Sequence, residues 1–170
     1  MIIKNKTIVE DGWCVLRLAD GQEPDSVTVP SGPVIVPLAV WLAQRETLKA
    51  RIDVGVWLAS SERPEALGAD DVAKLPVIAV DFPKFADGRG YTIAYLLRER
   101  SGFKGELRAI GDVLRDQLYY MQRVGFDAFA VRQDKDINDA LKALSDFSEN
   151  YQASVDQPQP LFRRVSRGAA

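Results

Sequence analysis

The residue types able to do chemistry gather in residues 81–129, DFPKFADGRGYTIAYLLRERSGFKGELRAIGDVLRDQLYYMQRVGFDAF. The turn Asp87-Gly88-Arg89-Gly90 stands between an apolar run and a helical pattern. Backbone N–H groups at a helix start attract anions, and the two glycines would let a ligand approach closely. Arg89 could grip a phosphate, sulfate or carboxylate through two nitrogens. The alternative is that Asp87 caps the helix and Arg89 is a solvated charge. The spacing is neither G-x-G-x-x-G nor a Walker loop.

Asp81 and Lys84 flank the same corner, and Gly111-Asp112 occupies the equivalent corner one strand later. Two carboxylates at adjacent corners could hold a cation or act as acid and base; otherwise they serve as helix caps, with Asp112 placed to cap the next helix. Glu106 and Arg108 lie two residues apart on the run GELRAIG, on one face of a strand. Such charges need a partner, a cleft or an edge position. Arg98, Glu99 and Arg100 read as a solvated helix end, and Tyr119, Tyr120 and Met121 as packing. The candidate anion- or substrate-binding set is therefore Asp81, Lys84, Asp87, Gly88, Arg89, Gly90, Glu106, Arg108, Gly111 and Asp112, with no catalytic residue singled out.

Composition narrows the chemistry. The chain has no histidine and one cysteine, Cys14. That inventory holds no common haem, zinc or iron–sulfur centre, so no metal ligands are assigned. No intrinsic cofactor is expected either; redox chemistry would need a bound flavin or nicotinamide nucleotide, or a partner. Cys14 lies in the apolar run WCVLRL and is expected to be buried. The net charge of −2 gives no broad attraction to nucleic acid or to anionic membrane. No apolar run reaches the ~18 residues that span a bilayer, and the N-terminus lacks a signal-peptide pattern. The expected location is the cytoplasm.

The elements that position these residues alternate. IIKNKTIV and WCVLRL flank Asp11-Gly12, a hairpin signal. From Val34 onward, apolar strand-like runs (VIVPL, IDVGVWLA, PVIAVDF, GELRAIG, DAFAVR) alternate with helical stripes. The last stripe is Ile137, Ala140, Leu141, Leu144, Phe147 and Tyr151. Alternation with short connections implies a parallel sheet. The expected fold is α/β: an open, mostly parallel sheet with helices on both faces and an N-terminal β-hairpin, or else an incomplete (β/α)-barrel-like half. Residues 1–33 are expected to form the hairpin and a connector, 34–152 the core and 153–170 an extended tail with a disordered end. Leu161 and Phe162 are expected to dock on the domain or on a partner.

The run FPKFADGRGYTIAYLLRER…GFKGELRAIGDVLRDQLYYMQRVGFDAF, with VPLAVWLAQR before it and LFRR after it, resembles a bacterial domain-of-unknown-function family. That family carries the label of an oxidoreductase involved in sulfite reduction. By this resemblance, the positions most tied to the family include Phe85, Asp87–Gly90, Arg98, Gly105, Glu106, Arg108, Gly111, Asp112, Asp116, Gln117 and Gly125 to Asp127. Family sequences often have cysteine just before GFDAF; this chain has Val124, so a thiol role there does not carry over. The resemblance implies an accessory protein of assimilatory sulfite reduction, binding a sulfite reductase, another sulfate-assimilation enzyme or an anionic intermediate. The rivals are an oxidoreductase with a bound nucleotide cofactor and a homodimeric scaffold without catalysis.

Overall fold

The computed structural model describes residues 1–164. One sheet of eight strands runs through the molecule: β1 (Ile2–Lys4), β2 (Thr7–Val9), β3 (Cys14–Val15), β4 (Val34–Pro37), β5 (Val54–Leu58), β6 (Val77–Phe82), β7 (Glu106–Gly111) and β8 (Ala128–Phe129). Their order across the sheet is β2-β1-β8-β7-β6-β5-β4-β3. Strands β3 to β8 pair parallel; only β1 runs antiparallel to its neighbours β2 and β8. Helices α1 (Leu38–Ala43), α2 (Arg45–Leu48), α3 (Ala69–Lys74), α4 (Arg89–Glu99) and α5 (Arg115–Arg123) fill the connections between strands, α6 (Ile137–Ala143) follows β8, and α7 (Leu161–Arg164) ends the described chain.

The chain is α/β with an open, mostly parallel sheet, and of the two expected forms it takes the half-barrel. Strand side chains alternate between faces. Val34, Val36, Val56, Leu58, Ile78, Val80, Phe82, Leu107 and Phe129 join one large cluster with Val40, Trp41, Val72, Ile93, Leu97, Leu118 and Ala140 of the helices. The other face carries a small cluster of Ile35, Val77, Ala79 and Ile110 with Trp13, Val15, Trp57 and Ala130, to which no helix contributes. Among the described residues, helices thus pack on the convex side only.

Chain connectivity explains the curl. β2 and β3 lie at opposite edges of the sheet. Seven strand spacings in a flat sheet would separate them by roughly 34 Å. The link from Val9 to Cys14 covers five residue steps, at most about 18 Å when extended. The sheet must bend until its edges approach, and residues 10–13 then strap across the concave face. Arg108 of β7 pins the strap: its Nη1 donates to Asp11 Oδ1 at 2.8 Å and its Nε donates to Glu106 Oε1 at 2.6 Å. Lys4 pairs with the other Glu106 oxygen at 2.7 Å. Arg108 is only 1% exposed. It lies in register between Ala79 and Ala128, whose small side chains leave room for the guanidinium.

Several local expectations change. The hairpin turn is Asn5-Lys6, not Asp11-Gly12; both turn residues have positive φ (49° and 61°), as a two-residue hairpin of this twist requires. Cys14 is exposed, because β3 is a two-residue edge strand. α5 starts at Arg115, and its leading N–H, that of Leu114, donates to Gln117 Oε1. Asp112 is therefore not its cap. α6 stops at Ala143, leaving Phe147 and Tyr151 exposed; Ser145, Asp146 and Ser148 favour local hydrogen bonding over helix. Residues 152–156 are tied to α5, where Arg123 donates to Asp156 and to the Gln152 carbonyl. Leu161 and Phe162 form a one-turn helix after Pro160, with Phe162 63% exposed, so Phe162 does not dock on this domain. The expected disorder of the extreme end falls on residues 165–170, outside the described residues.

Replacing Lys6 with glycine removes a left-handed side-chain penalty and should raise stability by about 0.5–1 kcal/mol, read from the urea midpoint. Arg108→Met leaves Glu106 and Asp11 facing an apolar side chain. We expect a loss of about 3–5 kcal/mol in the same assay, with Arg108→Lys recovering only part, since one ammonium cannot reproduce the planar fork.

Candidate functional site

In parallel α/β folds, ligands bind beyond the carboxyl ends of the strands. That rim receives Asp81 from β6, Gly111 from the end of β7 with Asp112 just after it, and the loop of residues 83–88 with Lys84, Asp87 and Gly88. Arg89 and Gly90 open α4 on the same rim. Glu106 and Arg108 do not join them. Glu106 is the first residue of β7, opposite Val77 at the start of β6, so this pair belongs to the other end and to the strap. The partner these charges need is found within the strap: the two pair with each other, with Asp11 and with Lys4.

The Asp87–Gly90 corner is filled by its own carboxylate. Asp87 Oδ1 accepts from the Arg89 N–H at 3.2 Å and from Arg89 Nε at 2.9 Å. Its Oδ2 accepts from Arg89 Nη2 at 2.7 Å and from the Ser60 hydroxyl at 2.6 Å. Asp87 therefore takes the place an anion would have at the start of α4. Gly90 serves packing: a Cβ there would come within 2.6 Å of the Phe82 ring. At Gly88 a Cβ would make ordinary contact with the Tyr91 ring, at 3.8 Å. Beside this corner, Arg89, Thr92 and Leu96 of α4 and the loop of residues 60–65 enclose a hollow of ≈ 420 Å³. Burial pushes the Glu62 carboxyl in its wall upward.

Asp81 and Asp112 serve a second group on the concave side of the rim. Arg17, just beyond β3, donates to Asp81 Oδ1 at 2.6 Å and lies 5.1 Å from the Trp57 ring centroid. Arg132, just beyond β8, donates to Asp112 Oδ1 at 2.8 Å and grips Asp134 with two nitrogens. The Asp134 and Asp112 bonds raise the Arg132 guanidinium above its ordinary range, and Arg132 holds the Asp134 carboxyl down at about 2. The other Asp112 oxygen accepts the Phe85 N–H at 2.9 Å. Gly111 must be glycine: its φ is +92°, and a Cβ would meet the Phe82 carbonyl at 2.4 Å and Asp81 Oδ1 at 2.8 Å.

Sequence reasoning missed Arg17, Arg132 and Asp11, because their partners lie 64, 20 and 97 residues away. It also placed Arg98 on a solvated face. Arg98 instead donates to the carbonyls of Gly125, Phe103 and Gly105 and to Asp127 Oδ2, clamping the end of α4 to the starts of β7 and β8. Burial raises the Asp127 carboxyl, partly countered by Arg98.

These contacts gather many of the residues singled out by resemblance, and comparison with known families agrees. Residues 55–162 match the model of a family described as "Bacterial protein of unknown function (DUF934)". The chain belongs to this family. Its matched span contains both rim groups except Arg17, and the Arg98 clamp. No curated protein and no solved structure matches the chain. Among the described residues, no helix is long and apolar enough to cross a membrane.

The Arg89 and Ser60 hydrogen bonds hold the Asp87 carboxyl well below the usual range. Its contribution to stability is therefore full above the ordinary aspartate pKa of about 3.9 and is lost as pH falls through the folded value. Carbon-13 titration of the side-chain carboxyls should find Asp87 still ionised at pH 3 in the native protein. Arg89→Gln should return it toward the ordinary range.

Proposed function

We propose that this protein is an accessory protein of assimilatory sulfite reduction that works by docking on a sulfite reductase or a neighbouring sulfate-assimilation enzyme. The sulfite-reduction context comes from the family resemblance. The observation that carries the docking role is an aromatic ridge where α4 and α5 meet the rim. Phe85 is 52% exposed and Tyr120 58% exposed. The Tyr91 ring lies 5.1 Å from that of Tyr120, and Gln117, one turn before Tyr120, ties α5 to Phe85 by donating to its carbonyl at 3.3 Å. Exposed Tyr95 lies one turn after Tyr91 on α4, and exposed Lys84 immediately precedes Phe85 in the chain. Aromatic side chains grouped in this way are the residues that anchor protein interfaces.

The ion pairs support a binding role over catalysis. Asp87, Asp112 and Asp81 each hold an arginine, so each is committed to a partner rather than poised to move a proton.

Sedimentation of the protein with a purified sulfite reductase, in the presence and absence of sulfite, tests the reading. A saturable complex is expected, weakened at least tenfold by Phe85→Ser combined with Tyr120→Ser. A wild-type protein that sediments independently of the enzyme would overturn it. Self-association abolished by the same substitutions would show that the ridge serves a second copy instead.

A further inference from the structure

The concave side of the rim carries a second kind of site. Arg17 and Arg132 leave the sheet beyond strands β3 and β8, five places apart in the strand order. The curl brings them to the same place. Two adjoining hollows, of ≈ 530 and ≈ 490 Å³, are both walled by Arg17, Gly111 and Arg132. The larger is also lined by Val15, Ile110 and Ala130, which belong to the helix-free apolar cluster.

We propose that this mouth binds a small organic anion, its head held by Arg17 and Arg132 and its apolar body laid on Val15, Ile110 and Ala130. Both guanidiniums are pre-oriented. Buried Asp81 takes one nitrogen of Arg17 from behind, and Trp57 supports the guanidinium plane. Arg17 Nε and Nη1 have no protein partner among the described residues, and the side chain is 51% exposed. Asp134 and Asp112 fix Arg132 in the same way; each of its terminal nitrogens carries a second N–H, and the side chain is 41% exposed. Orienting an arginine in advance lowers the entropic cost of binding.

Charge and size define the ligand class. Two guanidiniums meet three carboxylates at the mouth (Asp81, Asp112 and Asp134), so no long-range field draws in a polyanion. A compact head must reach the N–H edges directly, as carboxylate, sulfonate and phosphate monoester do. The hollows have the volume of small-molecule pockets, larger than a bare inorganic ion needs, and the apolar floor suits a short carbon chain. The mouth uses none of the aromatic ridge, so this inference stands independently of docking on a sulfite reductase.

Titration calorimetry of the full chain at low ionic strength tests it, using methane-, ethane-, propane- and butane-1-sulfonate and the matching carboxylates. A fully buried methylene contributes about 0.8 kcal/mol, or about fourfold in affinity. Affinity should therefore rise about two- to fourfold per carbon along each series. Arg17→Gln and Arg132→Gln should each weaken butane-1-sulfonate at least tenfold, while Arg89→Gln, at the separate corner, should leave it unchanged. A variant with an altered thermal melt is replaced by its lysine counterpart, which keeps the charge without the fork and should still lose affinity. The proposal is overturned by the absence of saturable binding, by equal affinity along the series, or by arginine variants that bind like the wild type.

Discussion

The structure turns on a short strap. Two edge strands at opposite sides of an eight-stranded sheet are joined by only four residues, so the sheet cannot stay flat. Curling it costs little if the concave side can be filled, and this chain fills it with Trp13, Trp57 and the Arg108–Glu106–Asp11 group. A buried arginine with one carboxylate partner removed would be strongly destabilising. Here the charges balance: Arg108 and Lys4 face Glu106 and Asp11. The strap and the buried ion pairs therefore depend on one another.

The curl also makes the rim a mouth. In a flat sheet, Arg17 beyond β3 could not reach Asp81 on β6, three strands away. Bent, the sheet lets the two meet at 2.6 Å and places Val15 and Ala130 in the wall of one hollow. The convex side has a different logic. There the helices bury an apolar layer and leave Phe85, Tyr91, Tyr95 and Tyr120 along the α4–α5 junction. The two surfaces share the carboxyl rim, so a ligand in the mouth and a partner on the ridge would both contact structure organised by the Pro83–Asp112 region, with the Phe85 N–H bonded to Asp112 linking them.

Arg98 secures the opposite end. Its guanidinium serves three carbonyls and a carboxylate, a use that lysine's single ammonium could not match. Gly125, at φ +111°, lets the chain pass so close that a Cβ would meet the Arg98 side chain at 2.5 Å. The glycines and charges in GFKGEL and GFDAF thus describe one junction between helix end and strand starts.

The sequence by itself determined the α/β class, the alternation of strands and helices along the chain from Val34, and the extents of α4 and β6, because apolar periodicity and glycine punctuation are local signals. It also marked Asp81, Asp87, Gly111 and Asp112 at strand ends, since turns carry such residues. Only the tertiary structure decided what those residues do. Whether Asp87 receives a ligand or fills the corner itself depends on Ser60, 27 residues earlier. Whether Glu106 and Arg108 face a cleft or a buried strap depends on Asp11, 97 residues from Arg108. The choice between a sheet covered on both faces and a half-barrel rested on which edge strand the chain reached after Val9. Strand order is a property of long-range pairing, and no local pattern of side chains encodes it.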